Sequence, residues 1–216
     1  MTNDTTSSSA SGHVFLVDDD DRLRNNIADL LGVVGYRVQC WANGESFLAE
    51  IPRVAPAVLI TDMRMPGLAG VDLHAELIRL GRMLPVVYIS GESTVMQTVR
   101  AMKQGAVDFL VKPFGREELL RAVAAALERD RRQMQALIRS ARLTEAKSQL
   151  SPREIQVHQL LLKGFSNREI VEALGVSLPT AKQYKSEVMR KLGAQSLAEL
   201  ISLSGSGVDQ GEPASR

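Results

Sequence analysis

Short apolar runs alternate with amphipathic stretches over residues 13–114. The runs are HVFLV, YRVQC, AVLIT, PVVYI and VDFLV, and the stretches between them repeat with a helical period. Five short strands separated by helices predict a parallel sheet that helices cover on both faces. Gly35, Gly81 and Gly105 fall where three of these helices should end. The pattern therefore predicts a doubly wound α/β domain.

Residues 115–147 contain no proline and a single glycine at their start, which favours one long helix. Apolar residues recur in this stretch at a heptad spacing that Asp130 interrupts: Leu120, Val123, Leu127, Met134, Leu137 and Ala141. A weak heptad predicts a helix that runs from the first domain into a linker and pairs with its own copy. A single solvated helix is the alternative.

A series of short helices with clear starting signals begins at Ser151. Ser151, Ser166 and Ser196 are each followed three residues later by Glu, the spacing of the capping box. Ser177 precedes a further start. We expect four helices that begin near 152, 167, 178 and 197, and hence a small all-α domain.

The composition is that of a globular chain of 216 residues, with 44% hydrophobic and 24% charged residues. The polar, Ser-rich and Gly-rich ends, 1–12 and 204–216, are predicted to be disordered tails. The only cysteine, Cys40, cannot form an internal disulfide, and it shares no metal-type spacing with His158. Both are expected to be packing or partly buried residues rather than ligands. Without a signal peptide or an apolar run of about 20 residues, we expect a cytoplasmic protein and no membrane partner.

Polar side chains stand at the ends of the predicted strands. Asp18 and Asp19 follow the first strand, Asp62 the third and Lys112 the fifth, and Ser90 ends the fourth. Because ligands of such sheets bind beyond the carboxyl ends of the strands, these side chains should converge. Their carboxylate oxygens suit Mg²⁺, and the lysine and the serine suit an incoming phosphoryl group.

Asp62 stands alone on its strand and is the best candidate nucleophile, whereas the Asp18-Asp19 pair is typical of a metal clamp. Ordinary turn acids beside a surface lysine are the alternative. Ordered placement at four strand ends argues against it.

Four segments in order, FLVDDD, LITDMRMPGLAGVDL, VVYISGES and AMKQGAVDFLVKPF, resemble the receiver domain of bacterial two-component response regulators. The resemblance covers nearly all of 13–128. It implies a flavodoxin-like fold with a five-stranded parallel sheet in the order 2-1-3-4-5. It also implies that Asp62 accepts a phosphoryl group from a sensor histidine kinase, with Mg²⁺ held by Asp19, Asp62 and the main-chain carbonyl of Arg64, and with Asp18 acting through water.

The same resemblance assigns switch roles to Ser90 and Phe109 and makes Lys112 the phosphoryl partner, next to a cis bond to Pro113. We hypothesise that phosphorylation turns the face formed by helix 93–104, strand 107–111 and helix 115–128 into a dimer surface. Met96 and Met102 are expected in the core or at an interface.

The segment from SPREIQ to SLAELI resembles the four-helix LuxR-type helix-turn-helix of NarL/FixJ regulators. Residues 146–202 carry eight lysines and arginines against five glutamates, a modest net charge of +3. In the third helix Ala181, Tyr184, Val188 and Leu192 form an apolar stripe. The opposite face fits insertion into a major groove. The candidate DNA contacts are Thr180, Lys182, Gln183, Lys185 and Ser186.

The expected organisation is a tail (1–12), a receiver domain (13–128), a helical linker (129–147), a LuxR-type helix-turn-helix domain (148–203) and a tail (204–216). The expected function is that of a response regulator, not an enzyme, whose phosphorylation at Asp62 promotes homodimerisation and sequence-specific binding to promoter DNA. RNA polymerase is left open as a further partner.

A phosphatase of the haloacid-dehalogenase type is less consistent with the sequence, because Arg64 stands where such enzymes usually carry a second acid. An adaptor that acts through protein contacts alone is the third reading.

Overall fold

A computed structural model of the chain describes residues 12–91 and 95–205. Most of the two expected tails, residues 1–11 and 206–216, lies outside the described residues. The chain divides into two compact units between Gln135 and Ala136. Within the described ranges, no helix is both long and apolar enough to cross a membrane.

The first unit contains a five-stranded parallel sheet in the order β2-β1-β3-β4-β5, which confirms the predicted topology. Its strands are β1 His13–Val17, β2 Arg37–Trp41, β3 Ala57–Asp62, β4 Val86–Ser90 and β5 Asp108–Val111. Its helices are α1 Asp21–Val34, α2 Gly44–Ala49, α3 Gly70–Arg79, α4 Val95–Lys103 and α5 Arg116–Ser148, which continues into the second unit.

The interior strands are apolar on both sides because helices cover both faces of the sheet. Alternate residues of β1 enter different cores: Leu16 packs with α1 and α5, and Phe15 packs with α2, α3 and α4. The edge strand β2 is more open, and Cys40 on it is exposed, so the expectation of a packing or partly buried residue was wrong. His158 in the second unit is buried, as expected.

Asp130 explains why the apolar seam of α5 is interrupted. Its Oδ2 accepts a hydrogen bond of 2.8 Å from the main-chain N–H of Ala57, at the start of β3. Before Asp130 the seam packs on the sheet, as buried Val123 and Leu127 show. After it, Leu137 is 65% exposed. The seam therefore has a packed half and an exposed half.

The second unit contains the four predicted helices, α6 Pro152–Leu162, α7 Asn167–Leu174, α8 Leu178–Leu192 and α9 Leu197–Gly205. Complete capping boxes open α6 at Ser151 and α7 at Ser166, as predicted. The box predicted at Ser196 is only half formed. Glu199 donates its main-chain N–H to the Ser196 hydroxyl, but its carboxylate accepts from Gln195, one residue further back.

Candidate functional site

Three carboxylates converge at the carboxyl edge of the sheet. Because β1 and β3 are parallel neighbours, Asp18, Asp19 and Asp62 come to the same edge, with carboxylate oxygens within 4.8 Å of one another. Asp18 and Asp62 are buried, whereas Asp19 is exposed. The cluster therefore has two sheltered acids and one that faces solvent.

Lys112, directly after β5, places its ammonium between the two buried acids. Its Nζ lies 2.5 Å from Asp62 Oδ2 and 3.2 Å from Asp18 Oδ2. Burial works against the charged ammonium, but the hydrogen bonds and charges of Asp62 and Asp18 outweigh it and hold the pKa of Lys112 above its usual value. The lysine therefore stays charged and balances part of the acidic cluster.

Main-chain contacts fix the orientation of both buried acids. Asp18 Oδ1 accepts from the Asp20 N–H at 2.8 Å, and Asp62 Oδ1 accepts from the Arg64 N–H at 2.8 Å. Burial nevertheless raises the pKa of Asp18, against the opposing effects of that amide and of Lys112. Each acid thus has one oxygen on an amide and the other on the lysine.

The residues fit a small, hard cation. Asp18, Asp19 and Asp62 offer only oxygen, the donor that Mg²⁺ prefers. Their separations are of the order of the roughly 4 Å that divides opposite ligands of octahedral Mg²⁺. Asp19 is exposed, so an ion there could keep several waters, as Mg²⁺ usually does.

The two expected switch residues lie on the neighbouring strands. Ser90 ends β4 and is 1% exposed, next to Ile89, the residue that pairs with Asp62. Its carbonyl accepts a 2.7 Å hydrogen bond from the N–H of Lys112. Phe109 on β5 is half-buried against the core of the α2–α4 face. The bond between Lys112 and Pro113 is cis, as the resemblance implies.

Gly70 and Arg24 are contributors that the sequence analysis did not single out. A Cβ at Gly70 would lie 2.2 Å from the main-chain oxygen of Asp62, so the start of α3 can approach the site only without a side chain. Arg24 of α1 donates from Nη1 to the carbonyl of Asp18 at 2.6 Å. The motif LITDMRMPGLAG contains Gly70, but its close approach is a tertiary contact that no local pattern signals.

A second candidate site is the outer face of α8. Of the predicted apolar stripe, Ala181, Val188 and Leu192 are buried and Tyr184 is partly buried against the same core. The predicted DNA contacts lie on the rest of the helix: Lys182, Gln183 and Ser186 are exposed, and Thr180 and Lys185 are half-exposed. The Thr180 hydroxyl lies 2.7 Å from the Ser177 hydroxyl, so it is already part of the helix cap.

Comparison with known proteins gives two family matches, the response regulator receiver domain over residues 14–124 and the bacterial regulatory proteins of the luxR family over 148–204. Nodulation protein W of Bradyrhizobium diazoefficiens is 41% identical over 199 residues, covering 92% of this chain and 88% of that protein. The tetrathionate response regulatory protein TtrR of Salmonella typhimurium is 40% identical over 188 residues, which cover 87% of this chain and 89% of that protein. The solved structure of the response regulator StyR superposes with a TM-score of 0.78 at 36% sequence identity. The superposition covers 91% of this chain and 100% of the StyR chain.

Gly70→Ala should weaken Mg²⁺ binding, because the added methyl group has to displace the main chain at Asp62. A Mg²⁺ titration followed by the fluorescence of Trp41, whose carbonyl accepts from the Asp18 N–H at 3.3 Å, measures the effect. We expect a loss of roughly tenfold or more in affinity. Gly32→Ala, in open space within α1, is the matched control and should leave affinity unchanged. Equal affinities of the two variants would show that the glycine does not position Asp62.

Proposed function

Since this chain belongs to the NarL/FixJ family of two-component response regulators, we propose that Asp62 is the residue through which a sensor histidine kinase controls its binding to DNA. The family match makes the chain a transcription regulator with a receiver and a LuxR-type DNA-binding domain, and implies a kinase and DNA as partners. Because its proposed target is promoter DNA in a bacterium, the protein is proposed to act in the cytoplasm. The observation that carries the proposal is that Asp62 lies beside both Asp18 and Asp19 and forms an ion pair with Lys112.

In the proposed transfer, an oxygen of Asp62 attacks the phosphorus of a phosphohistidine, the P–N bond breaks and the histidine leaves as neutral imidazole after it takes up a proton. Lys112 then faces the added phosphoryl charge, which is close to two negative units. Asp19, Asp62 and the carbonyl of Arg64 would hold Mg²⁺, with Asp18 acting through water. When bound, Mg²⁺ neutralises negative charge that develops on the phosphoryl oxygens.

Ser90 and Phe109 are proposed to carry this change outward. The phosphoryl oxygens attract the Ser90 hydroxyl, and a movement of Ser90 makes room for Phe109 to turn inward. Because Ser90 and Lys112 share a main-chain hydrogen bond, the end of β4 and the end of β5 should move together. The switch is then a population shift whose size equals the preference of the phosphoryl group for one of two states.

The proposed dimer surface is formed by α4, β5 and the first half of α5. Its α4–β5 face is defined here by four exposed apolar residues: Met96, Val99, Met102 and Val111. The two methionines are 78% and 47% exposed, which excludes the core and leaves the interface part of the expectation. An apolar cluster of this kind on a surface marks a site of association. The exposed half of the α5 seam, which includes Leu137, offers a second surface for the same homodimer.

DNA binding is proposed for the outer face of α8. Two dimerised copies would bring two such helices to half-sites about one helical turn apart. Lys182 and Gln183 are exposed near the start of α8, the end from which recognition helices usually reach base edges. Dimerisation at one surface therefore increases affinity at the other without any direct change in α8.

Asp62→Asn should abolish labelling by acetyl phosphate and phosphate-driven dimerisation, because the amide is not a nucleophile. Labelling is measured by mass spectrometry and dimerisation by analytical ultracentrifugation. Asp72→Asn, an exposed acid in the first turn of α3, is the matched control and should retain both. Persistent labelling of the Asp62 variant, or steady turnover of phosphate esters by the unaltered protein, would contradict the proposal.

Val99→Glu should weaken phosphorylation-dependent dimerisation by roughly tenfold or more while leaving labelling at Asp62 intact, since it introduces a charge into the α4–β5 face. Val33→Glu on α1 introduces the same charge at a position that is 83% exposed, and should leave the dimer unchanged. Sedimentation equilibrium with and without beryllofluoride measures both. Unaltered dimerisation of the Val99 variant would show that the α4–β5 face is not the dimer surface.

Lys182→Ala and Gln183→Ala should differ in their effects on DNA binding. If Lys182 contacts phosphate, its loss lowers affinity for all sequences and reduces the salt slope by about 1. If Gln183 reads a base edge, its loss costs about 1–3 kcal/mol on the cognate site only. Fluorescence anisotropy on a mapped promoter over a range of salt concentrations separates them. Lys163→Ala, at the end of α6, is the control; an effect equal to that of Lys182→Ala would point to nonspecific charge.

A further inference from the structure

A cavity of about 200 Å³ opens in the first unit where β4 begins, at the edge of the sheet opposite the acidic cluster. Three elements form its walls: the end of α3 with the turn that follows, the end of α4, and α5. One side is apolar, formed by Ile78, Leu84 and Pro85. The volume lies below the about 300–1,000 Å³ of pockets for drug-sized ligands, which limits an occupant to the size of a small metabolite.

Two side chains that line this cavity each carry a buried hydrogen-bond acceptor without a donor. Within the described part of the chain, the Oε1 atoms of Gln104 on the α4 side and Gln133 on α5 have no hydrogen-bond partner. The Gln104 amide nitrogen already donates to the Val71 carbonyl at 3.4 Å. Because buried acceptors are nearly always satisfied in folded proteins, the two carbonyls call for N–H or O–H donors from an occupant.

The charged groups of the wall are cationic. Arg82 and Arg129 line the cavity, and no acidic residue does so among those described. Main-chain carbonyls hold both guanidinium groups in place: Arg82 Nη2 donates to Pro52 at 2.8 Å and Arg129 Nη1 to Gly105 at 3.2 Å. The remaining N–H groups of a guanidinium suit bidentate binding of a carboxylate. The potential in the cavity therefore favours an anion.

We propose that this cavity binds a small organic acid that also carries an amino or hydroxyl group. Its carboxylate pairs with Arg129 and Arg82, its N–H or O–H group donates to Gln104 or Gln133, and its apolar body packs on the Ile78 side. Water alone would satisfy the carbonyls but would leave the apolar wall hydrated. Such a ligand would touch α3, α4 and α5 together, at the end of the unit remote from Asp62. The proposal is independent of the phosphorylation proposed above.

The experiment uses the full chain without phosphodonor and titrates 4-aminobenzoate and 4-hydroxybenzoate by isothermal calorimetry and by two-dimensional NMR. Benzoate lacks the donor and aniline lacks the carboxylate, so each should bind about tenfold more weakly than 4-aminobenzoate. Chemical-shift changes should map to residues around Gln104 and Arg129. Equal affinity of all four compounds, shifts that map elsewhere, or no saturable binding of either probe would overturn the proposal.

Gln133→Leu should remove the preference for 4-aminobenzoate over benzoate, because it replaces one acceptor by an apolar group of similar volume. Gln104→Leu provides the same test from the α4 side should the first variant fold poorly. Gln159→Leu, at an exposed position on α6, is the matched control and should keep the preference. A preference that survives both substitutions in the cavity would rule out the two carbonyls as the recognition groups.

Discussion

The mutual repulsion of three carboxylates at one edge of the sheet is the constraint around which the first unit is organised. Two like charges about 4 Å apart repel by roughly 4 kcal/mol under the screening typical of a protein surface. The parallel sheet brings Asp18, Asp19 and Asp62 together regardless of that repulsion, because the carboxyl ends of β1 and β3 meet at the same edge. Lys112 offsets part of it by its contacts with the two buried acids. The site therefore holds an excess of negative charge, which is the condition that attracts a divalent cation.

The same lysine also belongs to the main chain of the neighbouring strands. Its N–H donates to Ser90 at the end of β4, while β5 before it carries Phe109 on the core side and the exposed Val111. The exposed Val111 is thus the residue directly before Lys112 in the chain. The proposed switch therefore needs no long relay of side chains, since one strand end joins Lys112 to β5.

Local patterns predicted most of the fold. Strand and helix periods are properties of a few consecutive residues, which is why the five strands and the starts of α6, α7, α8 and α9 agree with the sequence. Side-chain choice between competing partners was less predictable. The capping-box spacing predicted that the Glu199 carboxylate accepts from the Ser196 N–H, whereas it accepts from the Gln195 N–H. Local spacing does not decide between them.

Contacts between residues distant in the chain account for the rest. Gly70 follows Asp62 by only eight residues, yet its need for a bare Cα arises from the path of the loop between them. The methionines of α4 were expected in the core or at an interface, and only the folded unit shows that they lie on its outside. Asp130 and Ala57 are 73 residues apart, so their hydrogen bond could not be predicted from local sequence. In the sequence, Asp130 is only a polar residue that interrupts the apolar seam.

That aspartate also determines where the chain can be cut. A receiver fragment truncated at residue 128 would strip the Ala57 amide of its acceptor at the first residue of a central strand, and would discard Arg129, which holds the end of α4. A fragment that ends after Gln135 keeps both tethers. The first compact unit therefore ends at Gln135, about two helical turns beyond residue 128, and both tethers lie within these added turns.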